Sequence, residues 1–194
     1  MVYIFFANGF EEIEAFTTID VLRRCGVEVL SISITGNRII TGAHGMAYRV
    51  DTFLRSIELK QSDVIVLPGG MPAAATLLSS ERLKKLLLEQ HCRHGLIAAI
   101  CAAPMILGEH GILANHKATC YPGFEEHLKN AAYTAAQLEV DDHIITANGP
   151  GAALPFAFAI AGKMVRQSVI KKVKQDMMLS ENVPAAPFLP VNHD

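Results

Sequence analysis

Apolar and polar positions come in blocks along this chain, and the blocks switch between two periods. Residues 2–7 are apolar without a break, as in a strand buried on both faces, and Asn8-Gly9 ends the run. Residues 11–25 follow a helical pattern, with acidic residues in the first turn and Gly26 just past the end. Residues 27–34 are rich in β-branched side chains and predict a second strand. Residues 37–40 and 46–51, joined through 41–45, predict short antiparallel strands. A third core strand covers 63–67 and stops at Pro68-Gly69-Gly70. A helix over 81–92, a strand over 96–100 and a helix over 104–110 follow, with Gly111 as its stop. Residues 117–120 predict a further strand and 124–129 a short helix. The runs 138–140 and 143–146 flank Asp141-Asp142, a hairpin turn. Helices over 152–166 and 168–178 complete the body. The last segment, 184–194, carries three prolines and reads as an extended tail.

Strands alternating with helices imply an α/β sandwich around a mostly parallel sheet. No internal repeat or linker breaks the body, so a single domain over 1–183 with a tail at 184–194 is expected. Composition agrees: of 194 residues, 51% are hydrophobic and 19% charged, which suits a packed core and excludes a disordered chain. A net charge of −2 gives no electrostatic draw toward nucleic acid. The densest basic group, Arg166, Lys171, Lys172 and Lys174, reads as the solvated face of a late helix. No apolar run is long enough to span a membrane. The N-terminus has no basic segment ahead of its short apolar run, so it reads as a strand and not as a signal peptide. The four cysteines, Cys25, Cys92, Cys101 and Cys120, show no CxxC pairing. Free thiols and a cytoplasmic location are therefore expected.

One of these cysteines stands apart. Cys101 follows an apolar strand, precedes a stretch that can open a helix, and sits among Ala99, Ala102 and Ala103. Small neighbours are what a nucleophile elbow demands, because its sharp strand-to-helix turn crowds the backbone. A helix N-terminus behind the sulfur would favour the thiolate, which predicts Cys101 as the most acidic of the four thiols. The same pattern also fits a buried structural cysteine at a strand end. Pro68-Gly69-Gly70 ends another strand and can leave bare N–H groups facing a cleft, where they would hold an oxyanion; a plain tight turn has the same sequence. Glu11, Glu12 and Glu14 put three carboxylates at one helix start. The helix dipole accounts for two of them, and Glu14 is the one whose direction the pattern leaves open. Asn148-Gly149-Pro150-Gly151 lacks the spacing of a phosphate loop and reads as structural. His91 and His94 have a metal-binding spacing, but no second ligand pair accompanies them. His110, His116, His127 and His143 are scattered.

Taken together, residues 99–104, Val66-Leu67-Pro68-Gly69-Gly70, Glu11-Glu12-Ile13-Glu14 and Gly149-Pro150-Gly151 resemble the ThiJ/PfpI superfamily. The branch is that of the parkinsonism-associated deglycase and its bacterial relatives, and the likeness runs in order from residue 2 to about 166. The resemblance implies a flavodoxin-like three-layer sandwich similar to the class I glutamine amidotransferase domain. It makes Cys101 the oxidisable nucleophile and Glu14 the glutamate that hydrogen-bonds its sulfur. Gly69, Gly70 and Ala102 supply the backbone N–H groups of the site. It further implies a homodimer with no metal and no organic cofactor.

One position departs from that pattern. Human-type members carry a histidine after the next strand in a Thr-His-Pro context, whereas this chain reads Thr119-Cys120-Tyr121-Pro122. A tyrosine is a poor general base at neutral pH but can still donate a hydrogen bond from the wall of a pocket. Three functions remain in view. The first is glyoxalase- or deglycase-type chemistry on small reactive carbonyls or glycated groups, with Cys101 as nucleophile and Glu14 as acid/base. The second is a non-enzymatic redox sensor or chaperone that works through oxidation of Cys101. The third, disfavoured by the missing histidine, is a cysteine peptidase or amidase.

Overall fold

The computed structural model describes residues 1–179; the segment expected to form a tail at 184–194 lies outside the described residues. In chain order the elements are β1 (Val2–Phe6), α1 (Glu12–Arg24), β2 (Val29–Ser33), β3 (Ile39–Thr41), β4 (Ala47–Arg49), β5 (Thr52–Phe53), β6 (Val64–Leu67), α2 (Ala73–Leu78) and α3 (Glu81–Cys92). They continue with β7 (Ile97–Ile100), α4 (Pro104–Glu109), β8 (Lys117–Ala118), β9 (Ala132–Tyr133), β10 (Leu138–Asp141), β11 (Ile144–Ala147), α5 (Ala153–Gly162) and α6 (Gln167–Asp176).

Seven strands form the central sheet in the order β10-β11-β7-β6-β1-β2-β5. All neighbours are parallel except β10, which returns antiparallel along β11 through the turn at Asp142. The middle strands are apolar throughout because both faces are covered. Successive side chains point to opposite faces. Val2, Ile4 and Phe6 of β1, with Val64 and Val66 of β6, pack toward α1, α5 and α6. Tyr3, Phe5, Ile65 and Leu67 pack toward α2, α3 and α4. The result is a three-layer α/β sandwich with a mostly parallel sheet, as expected. Lys117–Ala118 is shorter than the strand expected over 117–120, and the short helix after it is a single 3₁₀ turn at Glu125–His127.

Three elements were not foreseen, among them the two-residue strand Ala132–Tyr133, which pairs with β8. Thr52–Phe53 adds a two-residue edge strand to β2. Ala73–Leu78 forms a helix directly behind the Pro-Gly-Gly turn.

The chain runs from β1 outward to β2, then returns to place β6 on the other side of β1. The connections therefore diverge between β1 and β6, and a crevice opens outside their carboxyl ends. The turns after these two strands lock together there. Glu11 N–H donates to the Gly69 carbonyl at 3.0 Å. A Cβ on Gly70, at φ 90°, would stand 2.3 Å from the Gly9 carbonyl oxygen and 2.6 Å from the Glu11 nitrogen. Both obstacles are backbone, so neither can step aside.

Replacing Gly70 with Ala therefore adds left-handed strain to a backbone collision. An expected loss of about 3 kcal/mol corresponds to a melting temperature lower by at least about 6 °C for a chain of this size. Thermal unfolding of G70A checks this, and an unchanged melting temperature would show that the two turns are not in contact.

Candidate active site

Cys101 stands at the carboxyl end of β7, one residue past the strand, with φ 65°. A non-glycine residue in this left-handed region costs of order 1–3 kcal/mol and persists only where its surroundings fix it. Here the chain is tied on both sides: Cys101 N–H donates to the Ala147 carbonyl at 2.9 Å, and the Cys101 carbonyl accepts from Tyr121 N–H at 2.8 Å. This is the elbow predicted from the small residues around it. Ala99 and Ala103 are fully buried and Ala102 nearly so.

Glu14 enters from the first turn of α1 and is completely buried. Its Oε2 accepts the Gly69 N–H at 2.8 Å. A Cβ on Gly69 would lie 2.6 Å from the Cys101 Cβ and 2.9 Å from that same Glu14 oxygen. Only a residue without a side chain lets the Cys101 side chain and the Glu14 carboxyl converge on this point. Gly69 was expected to offer its N–H to a reacting oxyanion. It does not, because Glu14 already occupies that donor. Gly70 and Ala102 remain, and both N–H groups act on the Cys101 sulfur.

The other two carboxylates do other work. Glu11 is the N-cap of α1. Glu12 is buried and accepts from His44 at both its backbone N–H (2.7 Å) and its ring Nδ1 (2.8 Å), which ties α1 to the β3–β4 turn.

Burial controls the electrostatics of the pair. It raises the Glu14 carboxyl to about 7, against the opposing pull of the Gly69 N–H and of the Cys101 contact. The Cys101 thiol is pushed up to about 12, by burial first and then by the charge and hydrogen bond of Glu14. The N–H groups of Gly70 and Ala102 pull it down, but by less. The expectation of a lowered thiol is therefore overturned. The helix meant to favour the thiolate is only six residues long and opens on Pro104, which has no N–H to offer. Below about pH 7 the carboxyl and the thiol each hold a proton; above it the thiol keeps its own and the carboxyl gives its proton up. Glu14 Oε1 is buried and meets no donor among the described residues, so it is the oxygen placed to carry that proton.

Tyr121 lies where expected, beside the nucleophile. Its backbone holds Cys101, its side chain is half exposed, and its ring packs across Gly149. Among the described residues no histidine hydrogen-bonds Cys101 or Glu14. His127 pairs with Glu109 at 2.9 Å. His91 and His143 pair with each other at the opposite end of the sheet. All four cysteines are free thiols, and Cys25 and Cys120 are buried.

Residues 1–163 match the DJ-1/PfpI family. The chain belongs to that family. It is similar to the protein dj-1beta of Drosophila melanogaster, at 33% identity over 181 residues, covering 92% of this chain and 97% of that one. The crystal structure of Drosophila DJ-1beta superposes with a TM-score of 0.87 at 31% identity, covering 92% and 97% of the two chains. The flavodoxin-like, amidotransferase-like fold implied by the motifs is thus shown. A relative from Caenorhabditis elegans, the glutathione-independent glyoxalase DJR-1.2, is 35% identical over 152 residues, or 77% of this chain and 80% of that one. Against the DJ-1 homolog B of Arabidopsis thaliana the identity is 35% over 178 residues. These are 91% of this chain but only 41% of the plant protein, so the chain spans less than half of that relative.

The raised Glu14 carboxyl makes stability depend on pH. The native state keeps this proton up to about pH 7, whereas the unfolded chain releases it near the ordinary 4.5. The contribution of Glu14 is complete below 4.5 and is lost as pH rises through 7, by up to about 3 kcal/mol. Urea unfolding at pH 5 and pH 8 should show this loss in wild type relative to Glu14→Gln. Parallel pH dependences in the two proteins would mean that Glu14 titrates normally.

Proposed function

We propose that this chain is a cysteine-dependent protein that acts on small reactive carbonyls, by glyoxalase- or deglycase-type chemistry. The observation that carries the reading is the fully buried Glu14 carboxyl, which converges with the Cys101 side chain at Gly69 and keeps its proton up to about pH 7. The C. elegans relative named as a glyoxalase supports the same reaction class.

A 2-oxoaldehyde serves as the example. The Cys101 thiol gives its proton to Glu14 as the sulfur attacks the aldehyde carbon, forming the C–S bond. The carbonyl oxygen becomes an alkoxide that faces the N–H groups of Gly70 and Ala102 and is then protonated, giving a hemithioacetal. Glu14, now a carboxylate, removes the proton from the former aldehyde carbon. The resulting enediol is reprotonated at the neighbouring carbon, which converts hemithioacetal to thioester. Water hydrolyses the thioester, releases a 2-hydroxy acid and restores the thiol. The substrate's two carbons exchange oxidation levels internally, so the reaction needs no external oxidant or cofactor. A carboxyl that titrates near 7 suits both halves of this cycle, because an acid/base works best when its pKa lies near the working pH. Glycated groups would enter through the same hemithioacetal, and a second copy of the chain is the assembly partner this reading carries.

A second reading has its own observation: no histidine among the described residues reaches the sulfur, and Cys101 is only partly buried. Two equivalents of hydrogen peroxide would convert the thiol to a sulfinic acid with release of two waters. Protonated Glu14 and the N–H groups of Gly70 and Ala102 would hold the product oxygens. The same absence leaves the peptidase or amidase reading without its general base.

The two main readings separate in one experiment. Turnover of methylglyoxal should be abolished in Cys101→Ser and should fall by about 10²-fold or more in Glu14→Gln. Alkylation of Cys101 by iodoacetamide at pH 8 should be at least as fast in Glu14→Gln as in wild type, because the carboxylate charge that suppresses the thiolate is gone. Full turnover in Glu14→Gln would remove Glu14 as the acid/base. No turnover in wild type, with Cys101 the first thiol oxidised by peroxide, would favour the sensor.

A further inference from the structure

At the other end of the sheet, away from Cys101, the fold gathers residues that are far apart in sequence. His91 and His94 lie at the end of α3, Asp142 and His143 in the turn between β10 and β11, and His116 just ahead of β8. Ile97 at the start of β7 donates its N–H to the His143 carbonyl. The four residues of β7 therefore separate this cluster from Cys101 by about 13 Å of strand.

The side chains point at one another. Asp142 Oδ2 lies 2.8 Å from His143 Nδ1 and 3.4 Å from His94 Nδ1. One ligand atom each from His94, Asp142 and His143 falls within 4.8 Å of the other two. His143 is 6% exposed, and its other ring nitrogen, Nε2, lies 2.9 Å from His91 Nδ1. His116 stands edge-on at 5.7 Å from the His143 ring, with its own Nδ1 turned to Asp141 at 3.4 Å. Lys163 approaches Asp142 at the backbone carbonyl and leaves the carboxylate oxygens to the histidines.

From this geometry we propose that His94, Asp142 and His143 form a binding site for a divalent first-row transition metal ion, with His91 as the residue that orients His143. Two imidazole nitrogens and one carboxylate oxygen are the donor set such ions favour. Donors about 2.1 Å from an ion lie about 3.0–3.4 Å apart, close to the separations already present. Asp142 needs no rearrangement of the turn to reach its place. The remaining coordination positions face solvent, where His94 and Asp142 are exposed.

His91 explains why His143 would present the correct nitrogen. With the ion on His143 Nδ1, the ring carries its proton on Nε2 and donates it to His91 Nδ1 at the existing 2.9 Å contact. Both rings stay neutral, and each moves one proton from Nδ1 to Nε2. A ligating histidine held through its second nitrogen is the usual support of a metal site.

The second group of this type, Glu11, Glu12 and His44, makes a useful contrast. Glu12 already accepts two hydrogen bonds from His44, one of them from the backbone N–H, so its oxygens are committed to the fold.

Cobalt(II) titration of the full-length protein tests the proposal, because its visible spectrum reports the ligands. One equivalent should bind with visible d–d bands and without thiolate-to-cobalt charge transfer. Cys101→Ser should bind as wild type does, since the site contains no thiol. His94→Asn and Asp142→Asn should each weaken binding by about tenfold or more. Both positions have left-handed backbones, φ 53° and 55°, which asparagine accepts, so these variants keep the fold. His91→Phe should weaken binding while leaving the three ligands in place. Zinc(II) should raise the melting temperature of wild type and not of the two asparagine variants. The proposal is overturned if millimolar cobalt does not bind, if the bound ion shows thiolate charge transfer, or if both asparagine variants bind as tightly as wild type.

Discussion

A carboxyl group cut off from water, with one N–H to accept from and a sulfur at its side, sets the terms for the carboxyl edge of this sheet. Glu14 is fully buried, and its Oε2 is held by Gly69. Everything around it follows from keeping that group in place. Gly69 must lack a side chain, because the carboxyl and Cys101 both occupy the space a Cβ would need. Gly70 must turn left-handed against Gly9, because the turns after β1 and β6 have to touch before Glu14 can reach across. Cys101 must leave its strand in a left-handed conformation, fixed by Ala147 and Tyr121, because a regular strand would turn its sulfur into a sheet face. Burial then does the chemistry. It makes negative charge so unfavourable that the carboxyl keeps its proton up to about pH 7 and the thiol keeps its own beyond that.

In the proposed reading, nucleophilic character lies in the pair and not in the cysteine alone. A short helix that opens on proline cannot acidify a thiol by its dipole. The stabilising donors are instead two turn N–H groups, Gly70 and Ala102. In the proposed reaction the proton the thiol loses goes to Glu14, and the same group then works on the substrate carbon once the C–S bond has formed. Tyr121, where human-type members carry a histidine, contributes its backbone to the elbow and its ring to the wall over Gly149. Among the described residues the site pairs a carboxyl with a thiol, and no imidazole reaches it.

Much of this was legible from the sequence, for reasons that differ by element. The central strands were readable because both faces are buried, which leaves uninterrupted apolar runs such as residues 2–6 and 64–67. The elbow was readable because crowding selects alanine on either side of Cys101. Other features escaped for equally physical reasons. Thr52–Phe53 is too short to show any period. The helix Ala73–Leu78 stands directly behind Pro-Gly-Gly, whose turn signal masks it. The inward direction of Glu14 is set by contact with Gly69, which is 55 residues away in sequence and leaves no local mark. The thiol's upward shift also comes from the tertiary fold, through the thiol's own burial first and the nearby Glu14 second. The histidine cluster shows this most plainly. His91 and His94 had no second ligand pair nearby, and the fold delivers Asp142 and His143 from about fifty residues further on by pairing β11 with β7.

The central claim is that burial holds a proton on Glu14 up to neutral pH. Carbon-13 NMR of the Glu14 side-chain carboxyl, assigned by comparison with Glu14→Gln, reads that proton directly across a pH titration. The account predicts a midpoint near 7 in the native protein. A midpoint at the ordinary value near 4.5 would mean that the carboxyl is charged throughout the working range, and the account of a proton held by burial would have to be abandoned.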